Sequence, residues 1–295
     1  MASLKEVKNR INSVKSTRQI TSAMKMVASA KLHKAQGRIT SMLPYQRKLN
    51  EILTNFLRTD TSFESAYTVR REVKRVALVV CASNSSLCGA FNSNVARLVE
   101  KTLAGYRSLG KENIVIYAVG KKAEEAVKRL GYSYQGGFQK LVDRPAYVDA
   151  YKLAEELMMS FAEGKVDRVE LIYHHFKSTG SQILTREEYL PIDLSKMTGA
   201  QGENKEAAQG FNNDYIVEPS VETVIAELLP MVLCQKIYTM LLDSVTSEHA
   251  ARMMAMQAAT DNADDLVQEL TIQYNKTRQQ AITSELLDII GGSMK

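Results

Sequence analysis

The chain has 295 residues, is 45% hydrophobic and carries a net charge of +5, which predicts one sizeable core and an appended extension. Its three cysteines, odd in number and widely spaced, exclude a disulfide framework and favour a reducing compartment. We find no apolar run long enough to span a bilayer and no signal sequence, so we expect a soluble intracellular protein that meets membranes only through partners.

The first element is predicted to be one helix from Leu4 to about Leu57, roughly 80 Å long at 1.5 Å per residue. Its apolar residues recur at alternating steps of three and four, which is typical of a coiled-coil seam. A polar break at Arg18, Thr21 and Lys25 interrupts the seam, and Pro44 should kink the helix. The apolar seam positions are Leu4, Val7, Ile11, Val14, Ala28, Leu32, Ala35, Ile39, Met42, Leu49, Leu53 and Phe56.

This first helix is strongly basic, because Glu6 is its only acidic residue before Asn50. Such a run suggests an anionic partner, which could be nucleic acid, phospholipid or an acidic protein surface. The alternative is a solvated helix face without a partner. The basic residues are Lys5, Lys8, Arg10, Lys15, Arg18, Lys25, Lys31, Lys34, Arg38, Arg47 and Lys48.

The middle of the chain alternates strands with helices, which predicts an α/β unit with a mostly parallel sheet. It is followed by a polar, glycine-rich stretch, 194–213, that we interpret as a mobile loop. The predicted strands are 73–81, 113–119, 168–174 and 182–189, and the predicted helices are 91–109, 121–130 and 146–162.

The last element is a second very long helix, with Ser220 as its N-cap and Gly291-Gly292 as its stop. It is acidic where the first helix is basic. Two long helices that bracket an α/β unit predict an antiparallel two-helix coiled coil rising from a central Rossmann-like foot. The corresponding domains are 1–59, 60–219 and 220–295.

The two helix prolines suggest a register for that pairing. If Pro44 stands level with Pro230, residue 1 lies beside about residue 273 and the last twenty or so residues project alone. That projecting end is apolar, so it needs a sleeve supplied by other chains. Its apolar residues are Ile282, Leu286, Leu287, Ile289 and Ile290.

Three stretches resemble the gamma subunit of F-type ATP synthases. They are ITSAMKMVASAKLHKAQ at 20–36, SSLCGAFN at 85–92, and the long segment from Ser247 to Gly292. With the order of the elements, the resemblance covers essentially the whole chain. It implies a non-catalytic rotor shaft, without cofactor or metal, that couples proton-driven rotation of a c-ring to conformational cycling of an alpha/beta hexamer. It also implies an epsilon subunit as partner, no nucleic acid, only indirect membrane contact through the c-ring, and a place on the cytoplasmic face of the bacterial inner membrane.

The resemblance also assigns roles to particular residues. Met24 matches a position that faces an acidic lever of the beta subunit, and Arg18 and Lys25 lie nearby. On the second helix, the matching hexamer-facing positions are Glu248, Arg252, Arg278, Gln279 and Thr283. The apolar tip, Ile282, Leu286, Ile289 and Ile290, should turn within the top of the hexamer. Tyr215 and Glu218 match foot positions that meet the c-ring and epsilon.

One loop departs from the family pattern. Before Leu87-Cys88-Gly89 the family carries a charged pair, whereas this chain has Ser83-Asn84-Ser85-Ser86. A role for that loop is therefore not carried over. The chloroplast-type insert with its cysteine pair is absent, which predicts no thiol switch.

Two other classes of function would use parts of this sequence. A nucleic-acid-binding coiled coil would use the basic helix, but DNA offers nothing to the apolar tip. A small-molecule enzyme would use the α/β unit, but the sequence shows no phosphate loop, catalytic triad, paired carboxylates or metal spacing, and its four histidines are interpreted as structural.

Overall fold

The computed structural model describes residues 4–59, 65–192, 217–218 and 220–293. They belong to two compact units, each described by itself: one contains the described residues up to Lys31 and from Arg252 onward, and the other those between Leu32 and Ala251. The elements in chain order are α1 (Leu4–Thr59), β1 (Val76–Cys81), α2 (Phe91–Gly105), β2 (Ile114–Val119), α3 (Lys121–Arg129), α4 (Gln139–Asp143), α5 (Tyr147–Ala162), β3 (Arg168–Ser178), β4 (Ser181–Leu190) and α6 (Val221–Ser293). The predicted mobile loop, 194–213, lies outside the described residues.

The two long helices run without interruption, and both prolines lie inside them. The predicted start of α6 is confirmed, since the Ser220 hydroxyl accepts a hydrogen bond from the Thr223 amide at 3.3 Å. The predicted stop is slightly early, because the helix continues to Ser293 through both glycines. A difference of one or two residues is normal where a helix frays.

In the first unit, α1 and α6 pair antiparallel, as the seam predicts. Val7 and Ile11 are buried against Leu270, with Val14 and Tyr274 packed around them. Apolar seam residues are therefore buried between the two helices, as a heptad pattern predicts.

The register of the pair differs from the one that the prolines suggested. The hydroxyls of Thr21 and Thr260 lie 2.8 Å apart, which places residue 1 beside about residue 280. The correction is about seven residues, or one heptad. A slip of one heptad returns every seam position to the same phase, so the apolar pattern alone cannot distinguish the two registers. The apolar tip beyond the pairing is correspondingly shorter and begins near Ile282.

In the second unit, the four strands form one sheet in the order β2-β1-β3-β4. β1 pairs in parallel with both β2 and β3, and β3 pairs antiparallel with β4, which confirms the mostly parallel sheet. Every residue of β1 is buried, as its unbroken apolar sequence indicates for a central strand. Helices α2 and α3 cover one face, while α5 and part of α6 cover the other.

One region of α6 is apolar enough to resemble a membrane span. An 18-residue window of this helix has a mean hydropathy of 1.5. The helix is therefore long and apolar enough to cross a membrane by length and composition, and the prediction that no such segment exists was wrong. Half of that window is buried within the protein. Ile225 and Leu229 pack against Leu53 of α1, and Ile237 and Leu241 pack in the core beneath the sheet. These four side chains therefore have intramolecular packing partners.

His174 is buried on the α2 face of the sheet. It is 3% exposed, and its ring lies 4.2 Å from the Phe91 ring, centroid to centroid. Its Nδ1 has no hydrogen-bond partner among the described residues, and burial lowers the pKa of the imidazole to about 4. The neighbouring His175 lies on the opposite face of β3, where it hydrogen-bonds Asp243, as strand alternation predicts.

We expect this histidine to make the chain sensitive to acid. The unfolded chain binds a proton near pH 6.5 and the folded chain only near pH 4, so the stabilisation is complete above pH 6.5 and is lost as the pH falls toward 4. Between pH 7.5 and 4.5 the wild-type chain should lose about 2 kcal/mol more unfolding free energy than His174→Leu. Urea unfolding at both pH values measures the difference. The exposed His33→Gln serves as control and should follow the wild type; equal losses in wild type and His174→Leu would contradict the expectation.

Candidate partner-binding surface

The paired helices of the first unit carry most of the residues that the sequence assigns to partners. Arg18 is exposed and forms an ion pair with Asp264 of α6 at 2.7 Å. Both side chains are about half exposed, so the pair contributes little stability, at most ~1 kcal/mol. The guanidinium is thus held on the helix surface by an intramolecular contact.

Met24, Lys25 and Arg252 are all half-buried. With the corrected register, Met24 stands level with about Gln257, whereas the proline register had placed it between Thr246 and Arg252. Thr21 and Thr260 occupy the seam beside it, joined by their hydroxyls. The polar break in the apolar seam is therefore filled by a hydrogen-bonded pair, which is how buried polar groups are accommodated between helices.

An exposed apolar stripe lies beside this break, and the sequence-based assignments missed it. Ile20 is 61% and Val27 57% exposed, with Ala23 and Ala30 also on the surface. Their spacing of three, four and three residues is the helical signal that could have revealed them. A contiguous exposed apolar row is typical of surfaces that contact other proteins, so the stripe is a candidate contact with another chain.

Residues 282–290, near the end of α6, are all exposed. Arg278, Gln279 and Thr283 are exposed, and the Thr283 hydroxyl is bonded only locally, to the Gln279 carbonyl at 2.9 Å. The apolar tip is also on the surface, with exposed fractions of 47%, 54%, 67% and 56% for Ile282, Leu286, Ile289 and Ile290. Four large apolar side chains at helical spacing form a surface that favours protein contact over water.

Glu248 differs from the other residues assigned to the hexamer because it is only 5% exposed and lies in the second unit. Burial is the main cause that raises the pKa of the Cys81 thiol to about 12. A hydrogen bond with Ser244 opposes this rise, and the charge of Glu248 adds a smaller increase. Contact between Glu248 and a partner stays a prediction. Of the two foot residues, Glu218 is exposed and Tyr215 lies outside the described residues.

The side chains of the assigned residues are suited to contact with other proteins. Nowhere in the described parts of the chain do three or more potential metal ligands come together. The assigned residues offer cations, amides and apolar side chains on helices, which can bind other chains by charge complementarity and apolar burial.

The chain is similar to known proteins over almost its whole length. A family model described as ATP synthase matches residues 3–294. The ATP synthase gamma chain of Bacteroides fragilis is 66% identical over 294 residues, and that of Bacteroides thetaiotaomicron is 62% identical over 298 residues, each covering 100% of both chains. The gamma chain of Flavobacterium johnsoniae is 43% identical and covers 99% of this chain and 98% of its own.

Solved structures share the fold at lower identity. One chain of the Euglena gracilis mitochondrial ATP synthase (OSCP/F1/c-ring, rotational state 3) aligns with a TM-score of 0.67 at 21% identity, covering 99% of this chain and 93% of that one. A chain of the Tetrahymena thermophila central stalk and c-ring aligns with a TM-score of 0.57 at 24% identity, covering 81% and 99%. At these identities the likeness concerns the fold: long terminal helices around a central mixed sheet.

Proposed function

The chain belongs to the ATP synthase gamma chain family, and from that premise we propose that it is the non-catalytic rotor shaft of a proton-translocating ATP synthase. Proton flow turns a ring of c subunits, and the shaft turns with the ring inside a hexamer of alpha and beta subunits. At each angle a different face of the paired helices meets a given beta subunit and biases it toward a different conformation.

One observation carries this proposal: the antiparallel helix pair continues into a helix end whose apolar side chains, Ile282 to Ile290, are exposed. A helix with exposed isoleucines and leucines at its end is best stabilised inside a socket built by other chains. A shaft held within a hexamer provides such a socket.

The proposal places the partners along the chain. Arg18, Met24, Lys25, Glu248 and Arg252 are assigned to the beta subunit's acidic lever and its surroundings, and Arg278, Gln279 and Thr283 to a beta-subunit loop. Glu218 and Tyr215 are assigned to the c-ring and the epsilon subunit. The protein would then lie peripherally on the cytoplasmic face of the bacterial inner membrane, and its membrane contact would pass through the c-ring alone.

A reconstitution experiment tests the shaft role. The purified chain should hydrolyse no ATP, whereas alpha and beta chains should need it for rotation-coupled turnover. Rotation is observed with single complexes that carry a marker on the shaft. Saturable ATP hydrolysis that stays with the pure chain through further purification would overturn the proposal, as would equal rotation-coupled turnover without the chain.

We expect Met24→Lys to impair coupling more than assembly. Met24 is half-buried beside Lys25, so a lysine there adds a second cation opposite an acidic partner. An additional interfacial ion pair is worth on the order of 2 kcal/mol, and it would have to break at every step of rotation. Measuring ATP-driven proton pumping and ATP hydrolysis in the same membranes should show pumping reduced more than hydrolysis.

The matched control is Met24→Leu, which keeps a similar volume without charge and should leave the ratio of pumping to hydrolysis unchanged. If Met24→Lys also leaves that ratio unchanged, Met24 does not face an acidic partner.

A further inference from the structure

The second unit contains a cleft whose lining includes none of the residues assigned to partner subunits. It has a volume of about 910 Å³ and lies between α1, the β3–β4 edge of the sheet and the part of α6 between Val232 and Asp243. Clefts of about 300–1,000 Å³ are of the size that binds small molecules. The walls come from four separate elements, α1, β3, β4 and α6, so the cleft is formed by tertiary packing.

A glutamine side chain in this cleft has no hydrogen-bond partner among the described residues. Gln235 of α6 lines the cleft and is only 2% exposed, yet neither its Oε1 nor its Nε2 forms a hydrogen bond with any described residue. Its backbone carbonyl does have a side-chain partner, since it accepts a hydrogen bond from the Thr239 hydroxyl at 2.9 Å. A buried amide with both functions unused is unfavourable, and such a group is usually satisfied by something that binds beside it.

The ionisable side chains of the cleft are satisfied within the chain. Lys236 lies 3.4 Å from Glu187, and His175 lies 2.7 Å from Asp243. The two other acidic or basic lining residues pair outside the cleft, Arg186 with Glu170 at 2.8 Å and Glu188 with Arg168 at 3.0 Å. Since each charge already has a partner, a charged ligand would have to compete with an existing pair. The electrostatics therefore favour a neutral ligand.

The rest of the lining is largely apolar. It includes Leu43, Leu49, Phe176, Tyr189, Val232 and Met240. A ligand body that removes this surface from water gains about 25 cal/mol for each Å² of apolar area buried. The lining also carries the half-buried amides of Gln46 and Asn50 on α1. Of these three amides, only that of Gln235 is fully buried, and it has no hydrogen-bond partner among the described residues.

We propose that this cleft binds a small neutral molecule that has an apolar ring system and one amide group, such as a lactam or a primary carboxamide. The N–H and C=O of that amide lie on the same edge of the molecule, which is called its amide edge below. The amide edge pairs with Gln235 through two hydrogen bonds: the ligand N–H donates to Oε1, and Nε2 donates to the ligand carbonyl. The apolar body lies against the side chains of α1 and α6.

The test compares two probes of nearly the same shape on the full chain. 2-Quinolone carries the complete amide edge, whereas N-methyl-2-quinolone has the same rings and carbonyl but lacks the N–H donor. Binding is measured by saturation-transfer NMR and titration. We expect 2-quinolone to bind at least about tenfold more tightly, because a site built for a hydrogen bond rejects the analogue that cannot make it.

Two variants locate the effect at Gln235. Gln235→Leu should abolish the preference between the two probes while keeping the apolar contacts, and it should not unfold the chain because it removes an unsatisfied buried amide. Gln273→Leu, the same change at an exposed glutamine of α6 outside the cleft, is the matched control and should keep the preference. If the wild-type chain binds neither probe, or binds both equally, the proposal is wrong. A preference that survives Gln235→Leu would equally overturn it, and the wild-type comparison stands even if a variant fails to fold.

Discussion

Deleting Ser284 to Lys295 should reduce the yield of assembled complex several-fold and leave rotation in the complexes that form. The deletion removes the exposed leucines and isoleucines Leu286, Leu287, Ile289 and Ile290. In a socket of other chains each of these side chains would contribute on the order of 1 kcal/mol by burying its exposed half. Complex yield and single-complex rotation rate are measured on the same preparation.

Yield should fall while rotation continues because the contact between the tip and its socket is apolar. A shaft that turns must slide past each subunit, and directional hydrogen bonds would have to break at each step. Apolar contact has no preferred angle, so it can hold the tip without stopping it. The matched control is the double variant Glu285→Gln and Asp288→Asn, which changes only polar groups of the same segment and should assemble normally. Normal yield with rotation abolished would show that the tip drives rotation instead of supporting it.

Gly120→Ala should destabilise the second unit by more than about 3 kcal/mol. Gly120 joins β2 to α3 with a φ of 100°, a conformation that residues with a Cβ rarely adopt. A Cβ there would overlap the backbone carbonyl oxygen of Ala82 and lie 3.2 Å from Val142 Cγ2. The carbonyl cannot move aside, because the ends of β1 and β2 are joined by backbone hydrogen bonds on both sides of it, from Ala82 to Val119 and from Lys122 to Ser83, each 2.9 Å long.

The control for this prediction is the same chemical change in a helix. Gly37 lies within α1, and a Cβ there would meet no atom within 4 Å. Gly37→Ala should therefore stabilise the chain by about 0.5–1 kcal/mol. Urea unfolding of both variants decides the matter. A Gly120→Ala chain within 1 kcal/mol of the wild type would mean that the β2–α3 connection relaxes, contrary to the constraint described.

The central sheet could be predicted from sequence because its signal is strong and local. β1 is apolar without alternation, which is typical of a strand buried on both faces, and the alternating helices imply parallel neighbours. The strand β3 runs four residues beyond its predicted end, since the hairpin with β4 provides backbone partners as far as Ser178. Helix α4 was missed because five residues are too few to show a helical period.

The candidate surface was predictable only in part. The exposed tip follows from apolar spacing together with a register, and the register itself was wrong by one heptad because the seam repeats every seven residues. The burial of Glu248 and of the Gln235 amide could not be predicted, since each depends on which side chains of distant segments pack over α6. A glutamine in a helix is ordinarily a surface residue, and nothing in its neighbours along the sequence marks this one as buried.

The three buried cysteines have a practical consequence for optical experiments. Burial raises the pKa of Cys81 to about 12 and that of Cys234 to about 11, and Cys88 is buried as well. At pH 7 a thiol with a pKa near 11 is ionised in about one molecule in ten thousand, so it hardly reacts with maleimide. A cysteine introduced at the exposed Gln280 would then be the fast-reacting thiol of an otherwise native chain. One fluorophore could be attached there without first replacing three core residues.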